Sequence, residues 1–215
     1  MISVIMPTMW RSHRTVSLIN SICASDHVDE LIIIDNDVSA RPKFDIDSKV
    51  VLLEQDQNIY VNPAWNLGVS KSKNDFLCII NDDISLDFDY GIPLVQEFLN
   101  TKGSVVGIHP ASYNLSPGDI TIGVMPGHHI GHGWGCCMFM MKDDWVPIPE
   151  KYKIWYGDNW VVNNLKNAYS LLKAVQTEMQ TTSGSVELSD IINEDKKAWN
   201  EDCKHTSRNQ GFIYL

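Results

Sequence analysis

The chain has 215 residues, 44% of them hydrophobic, enough to bury one sizeable core, so a single domain is expected. Its apolar runs are too short to cross a bilayer, and Met1 leads into a strand-like segment with no basic leader-like start; both features imply a cytoplasmic protein without integral membrane association. A formal net charge of −10 argues against a broad basic surface for nucleic acid, although Lys71 and Lys73, or Arg11, Arg14 and Arg41, leave room for a local basic groove.

Residues 2–6, 31–34, 50–53 and 76–80 are apolar runs rich in β-branched side chains, spaced so that helices fit between some of them. That is the pattern of an α/β fold with a mostly parallel, helix-covered central sheet. Between the first two runs Val16, Ile19, Ile22 and Cys23 recur at helical spacing, with Ser12 as the expected N-cap. A second helix is predicted from "VNPAWNLGVSKSKN", with Asn62 as cap, Pro63 in the first helical position, Ala64, Trp65 and Leu67 on the apolar side, and an end near Asn74. The strand ends at Pro7, Asp35, Glu54 and Asn81 then share one rim of the sheet, where open α/β sheets bind ligands.

Farther along, residues 92–99 read as helix, 105–108 as strand, 111–133 as a loop-rich stretch and 136–141 as strand. "DNWVVNNLKNAYSLL" has helical spacing, "AVQTEM" suits an edge strand, and 190–204 suits a closing helix. No repeat or linker divides the chain. The odd set Cys23, Cys78, Cys136, Cys137 and Cys203 contains no C-x-x-C pair and reads as reduced thiols rather than a disulfide frame or zinc site.

In "FLCIINDDISLDFD" a fully apolar strand ends in Asn81, Asp82 and Asp83 with no basic residue beside them. Two adjacent carboxylates repel unless a cation or protons compensate, and a hard divalent cation needs only one or two protein carboxylates when a diphosphate supplies further oxygens. Taken alone, the pair equally suits a solvated loop whose acids cap the next turn.

The order "ISVIMPT", "LIIIDND" and "NIYVNPAWNLGVSKSKNDFLCIINDDI" resembles the GT-A glycosyltransferases, particularly the inverting family-2 type. The resemblance implies a single Rossmann-like GT-A domain, with residues 1–90 as the nucleotide-sugar-binding half and 91–215 as the acceptor-side half. It assigns Pro7 and Thr8 to the nucleotide pocket, Asp35 to the base or ribose, Asn66 to the donor, Asp82 to donor sugar or metal, and Asp83 to a Mn²⁺ or Mg²⁺ ion. "NDD" stands where the family has a D-x-D-like motif. Beyond it, "GWGCCMFMMKDDWVPIPEKYKIWYGDNWVVNNL" has the family's acceptor-side layout, with Gly133, Trp134 and Gly135 before a strand and an acid before a helix. Trp134 is thereby a donor-sugar platform, or else a core or lid aromatic.

Asp158 is the candidate catalytic base, and Gly157 stands where the family has a second acid; the other role for Asp158 is a helix N-cap. Asp143 and Asp144 are reserve candidates. "GHHIGHG" sets His128, His129 and His132 in a loop expected to border the site, and His205 is the one late histidine that could complete a metal shell. The expected function is metal-assisted inverting transfer from a nucleotide-sugar, UDP-sugar favoured, to a hydroxyl on a glycan, small molecule, protein or hydroxylated DNA base. The alternatives are a degenerate nucleotide-sugar-binding module and a nucleotidyltransferase. The latter is disfavoured because no glycine-rich, Lys/Arg-bearing loop follows the first strand.

Overall fold

In the computed structural model, residues 1–109, 112, 121–124, 133–172, 175–176 and 185–203 are described. The four apolar runs become strands β1 (Ile2–Thr8), β2 (Val28–Asp35), β3 (Val50–Glu54) and β4 (Phe76–Ile80), with helices α1 (Thr15–Ala24) and α2 (Val61–Lys71) in the connections. There follow β5 (Ser85–Leu86), α3 (Phe88–Lys102), β6 (Val105–Ile108), β7 (Thr121–Val124), β8 (Cys137–Met141), α4 (Gly157–Asn164), β9 (Ala168–Leu172), β10 (Val175–Gln176) and α5 (Ser189–Cys203).

The main sheet runs β3-β2-β1-β4-β8-β6-β9-β7. Its β3/β2, β2/β1, β1/β4 and β6/β9 ladders are parallel, and β4/β8, β8/β6 and β9/β7 are antiparallel. β4 is buried on both faces, which explains its unbroken apolar sequence. One face carries α1 and α3, whose Leu18, Ile19, Ile22, Ile92, Val95 and Leu99 pack with Val4 and Met6 of β1. The other carries α2, α4 and α5, whose Ala64, Trp65, Val161, Val162 and Trp199 pack with Ile5 and Ile79.

Several local expectations change. Ser12 lies ahead of α1, its hydroxyl accepting from the Arg14 N–H, and Arg14 holds the cap position. Asn62 is not the cap of α2: that position belongs to Tyr60, at φ 67°, and the helix ends at Lys71. The stretch 158–172, read as one helix, splits into α4 and β9, because residues 168–171 pair with β6. Of "AVQTEM", Val175–Gln176 pairs with β5 in a separate two-stranded ribbon. The strand β7 arises in a stretch read as loop.

Candidate active site

Pro7 opens the site. β1 pairs with β4 only as far as Ile5, opposite Ile79, so Pro7, which has no N–H to give, falls past the end of that ladder while β1 continues beside β2. The strand order reverses between β1 and β4, and this switch point is where doubly wound sheets leave a crevice. Thr8 and Asp82 meet across it, the Thr8 hydroxyl donating to Asp82 Oδ2 at 2.6 Å. Thr15, in the first turn of α1, lies 3.3 Å from the same oxygen. Burial pushes the Asp82 carboxyl above the usual carboxylate range, and these hydroxyl contacts offset only part of that. Asp83 beside it is buried.

Asp35, fully buried at the end of β2, accepts from the Trp10 indole N–H (2.8 Å) and the Asp37 amide (3.1 Å), both on Oδ1. Its Oδ2 lies 3.3 Å from Arg41 Nη1 without hydrogen-bond alignment, while the same nitrogen lies 2.6 Å from Glu54 Oε1. Asp35 and Glu54 are register partners on neighbouring strands, so the guanidinium offsets two like charges at one sheet edge. Asp37 in turn accepts from the Ala40 amide and caps the short 3-10 turn that follows.

Past β4, a single 3-10 turn, Trp134–Cys136, connects two acidic groups distant in sequence. The Asn81 N–H donates to the Cys136 carbonyl at 2.8 Å, tying the turn to the end of β4. At Gly135 a Cβ would lie 2.5 Å from Asp158 Cβ and 2.7 Å from its Oδ2, so the absence of a side chain lets the acid close on this turn. Asp158 sits in the first turn of α4, where its Oδ1 accepts from the Asn159 amide (2.9 Å) and the helix dipole favours a carboxylate. The second acid of the family pattern has no room here, since a Cβ on Gly157 would come within 2.1 Å of Asn62 Oδ1.

Two residues assigned to the donor have other partners in the structure. Trp134 is fully buried, its indole N–H donating to Ser170 Oγ (3.1 Å) and its ring lying against Gly107, so it is a core aromatic and presents no face to a sugar. Asn66 gives both ends of its amide to Ile148, donating to the carbonyl at 2.8 Å and accepting from the N–H at 2.9 Å; it fastens a loop to α2. Asp143 and Asp144 lie in a 3-10 turn after β8, with Asp144 accepting from the Ser104 amide.

Among the described residues no cluster of three or more His, Cys, Asp or Glu side chains suits a metal ion. His128, His129, His132 and His205 lie outside the described residues. The Asp82–Asp83 pair is the part of the expected metal site that falls among the described residues. Asp82 is partly buried against the Thr8 and Thr15 hydroxyls, and a half-desolvated carboxylate beside Asp83 fits a hard cation whose remaining oxygens come from a diphosphate.

The sequence reading missed Thr15, Trp10 and the tertiary role of Asn62. Trp10 carried a signal, an aromatic immediately after "PTM" at a strand end, which the structure holds at φ 59° with its ring against Phe44. Asn62 carried none, because Asn-Pro at a helix start is also ordinary capping chemistry.

The family model for glycosyl transferase family 2 matches residues 3–144. Among solved structures, S. aureus TarS 1–349 matches with a TM-score of 0.65 at 12% identity, over 96% of this chain and 66% of that one. The same TarS 1–349 in complex with UDP-GlcNAc matches with a TM-score of 0.62 at 12% identity, over 96% and 67%. The longer S. aureus TarS gives 0.62 at 11%, over 96% of this chain and 40% of that one. No curated protein sequence matches. Identities this low speak for the fold alone, a GT-A α/β sheet. The family match takes in more than half of the chain, from β1 through β8, and with it Pro7, Thr8, Asp35, Asp82 and Asp83; Asp158 falls beyond it. The chain belongs to glycosyl transferase family 2.

Proposed function

We propose that the chain transfers a sugar from a nucleotide-sugar, a UDP-sugar foremost, to an acceptor hydroxyl with inversion, assisted by Mn²⁺ or Mg²⁺. The observation that carries this reading is the Trp134–Cys136 turn, bonded to Asn81 beside the Asp82–Asp83 pair and packed against Asp158. A donor-side acidic pair and an acceptor-side carboxylate thereby border the same turn, the arrangement that in-line displacement needs.

In this reading the nucleotide lies along the rim of β1 and β2, with Pro7 and Thr8 beneath it. The Asp35 carboxylate meets a base N–H at Oδ2, the oxygen held only by an unaligned ion pair, once Arg41 turns fully to Glu54. Asp82 and Asp83 hold the divalent ion together with the diphosphate. Such an ion, when bound, offsets the charge that develops on the departing diphosphate. Asp158 takes the proton of the acceptor hydroxyl as it attacks the anomeric carbon from the face opposite the leaving group. A UDP-sugar is favoured because TarS 1–349, alike in fold, has been solved with UDP-GlcNAc and with UDP. The acceptor is left as a class, any hydroxyl on a glycan, small molecule, protein or hydroxylated base. No described helix is long and apolar enough to cross a membrane. The five free cysteines suit a reducing cytoplasm.

The test is a thermal-shift series with UDP-, GDP-, CMP- and dTDP-sugars, each with and without Mn²⁺, since a ligand bound to the native state raises stability by RT ln(1 + [L]/Kd). A metal-dependent shift confined to one nucleotide class is the expected result. No shift with any donor would sink the donor site and leave a degenerate member of the family.

A further inference from the structure

The chain reaches Asp158 through residues 151–156, a stretch with no helix or strand, so something other than a backbone ladder must set where that carboxylate stands. One side of α5 grips this stretch. Asp195, fully buried, accepts from three successive amides: Lys153 N–H on Oδ1 and Ile154 and Trp155 N–H on Oδ2, each at 2.8 Å. One turn on, Trp199 stacks on Tyr156 with ring centroids 5.1 Å apart and planes 9° apart. Tyr156 is the residue just before α4 and has φ 65°, a left-handed conformation that a bulky side chain holds only when its surroundings enforce it. Farther along α5, Asp202 accepts from the Tyr152 hydroxyl (2.5 Å) and the Lys151 ammonium (2.6 Å). Across the stretch, Asn62 closes the clasp from α2, its backbone N–H donating to Lys153 O (3.0 Å) and its side-chain amide to Trp155 O (3.1 Å).

A carboxylate inside a protein is costly unless its oxygens are met by donors, and here three consecutive peptide planes meet them. A neutral or apolar residue would pack more cheaply on the buried stripe of α5, between Ile192 and Trp199. We infer that Asp195 is a positioning residue for the acceptor side, fixing residues 153–155 and through Tyr156 the approach of Asp158 to the Gly135 turn. The inference rests on Asp158 being the acceptor-side base. Asp195 itself touches no substrate; it acts only through the loop.

The decisive variant is Asp195→Asn, near in shape but without the charge and with an amide group facing N–H donors. UDP release from UDP-GlcNAc with Mn²⁺, water serving as acceptor, is followed per folded molecule, and backbone amide exchange is measured on the same samples. The expected result is a kcat lower by about 10²-fold, the scale of an ångström misplacement, with donor KM within about twofold. Exchange should quicken from residue 153 through 159 and stay parental in β1–β4. A folded Asp195→Asn with parental kcat, or with faster exchange that stops short of residue 157, overturns the inference. If Asp195→Asn does not fold, Asp202→Asn loosens the same clasp from a partly exposed position, and the same split with a smaller kcat loss is expected; parental kcat and exchange there overturn it equally. Should the parent release no UDP, the functional reading fails, while the exchange at residues 157–159 still decides whether Asp195 holds that segment.

Discussion

Asp82 couples the site to pH. Burial raises its carboxyl above the reference value of 3.8. Below that value the folded and unfolded chains both hold the proton and ionisation costs nothing. As pH rises past 3.8 the unfolded chain ionises first, so native stability falls until the folded carboxyl has also titrated. An asparagine can still accept from Thr8 and carries no charge to bury. Asp82→Asn should therefore melt higher than the parent at pH 7 in metal-free buffer, the gap closing as pH falls toward 3.8. Mn²⁺ should raise the parent and leave the variant where it is. Melting curves across pH, with chelator and then with Mn²⁺, read both; an Asp82→Asn that is less stable at pH 7 without metal would refute the assignment of a buried, uncompensated charge. The other two acids separate by step. Asp83→Ala should abolish metal-dependent donor binding, whereas Asp158→Asn should bind donor within about twofold of the parent and lose transfer by about 10²-fold or more, the scale of general-base catalysis. Calorimetry for binding and product formation for turnover distinguish them, and parental turnover in Asp158→Asn would remove it as the base.

At the scale of elements, what the sequence displays is whatever rests on local chemistry. β1, β2 and β4 are legible because a strand covered on both faces must be apolar throughout, and α3 and α5 because their buried residues recur at helical spacing. The rim of carboxylates follows from those strands. The stretch 158–172 misleads because Val161, Val162, Leu165, Ala168 and Tyr169 keep helical spacing through a boundary that carries neither glycine nor proline; pairing of residues 168–171 with β6 decides it, and that is long-range. Asn62, read as a cap, and Asn66 and Trp134, read toward the donor, show a different limit, since only their tertiary neighbours reveal the strap and the core. The Asn62–Gly157 contact supplies a test. Gly157→Ala sets a Cβ 2.1 Å from Asn62 Oδ1 and should cost about 1–3 kcal/mol, as overpacking does. Asn62→Ala alone should also destabilise, by opening space and releasing Trp155 O. The double variant should be more stable than the two losses added together, because the smaller side chain leaves room for the new methyl. Strict additivity in chemical denaturation would mean that Asn62 does not set the entry of α4.

For the whole molecule, the join between the first 90 residues and the rest is a strand ladder. β4 pairs along its full length with β8, from Phe76 opposite Met141 to Ile80 opposite Cys137, and β8 pairs in turn with β6. Both hydrophobic layers cross that boundary: one packs Met6 and Ile80 with Phe139 and Leu171, the other Ile5 and Ile79 with Met138 and Val161. A division at residue 90 would therefore strip apolar surface from both faces at once. The chain should unfold in a single cooperative transition, and a donor bound at the β1–β4 crevice should raise that transition as a unit although it touches mainly one half. At a donor concentration 100 times Kd the gain is about 2.7 kcal/mol. For a chain of this size that corresponds to a rise in Tm of about 5–10 °C. Tryptophan fluorescence and far-ultraviolet dichroism should follow the same curve with and without donor. Two separable transitions, only one of them moved by UDP-GlcNAc and Mn²⁺, would mean that the β4–β8 ladder does not couple the halves, and the acceptor-side clasp would then have to be stable in its own right.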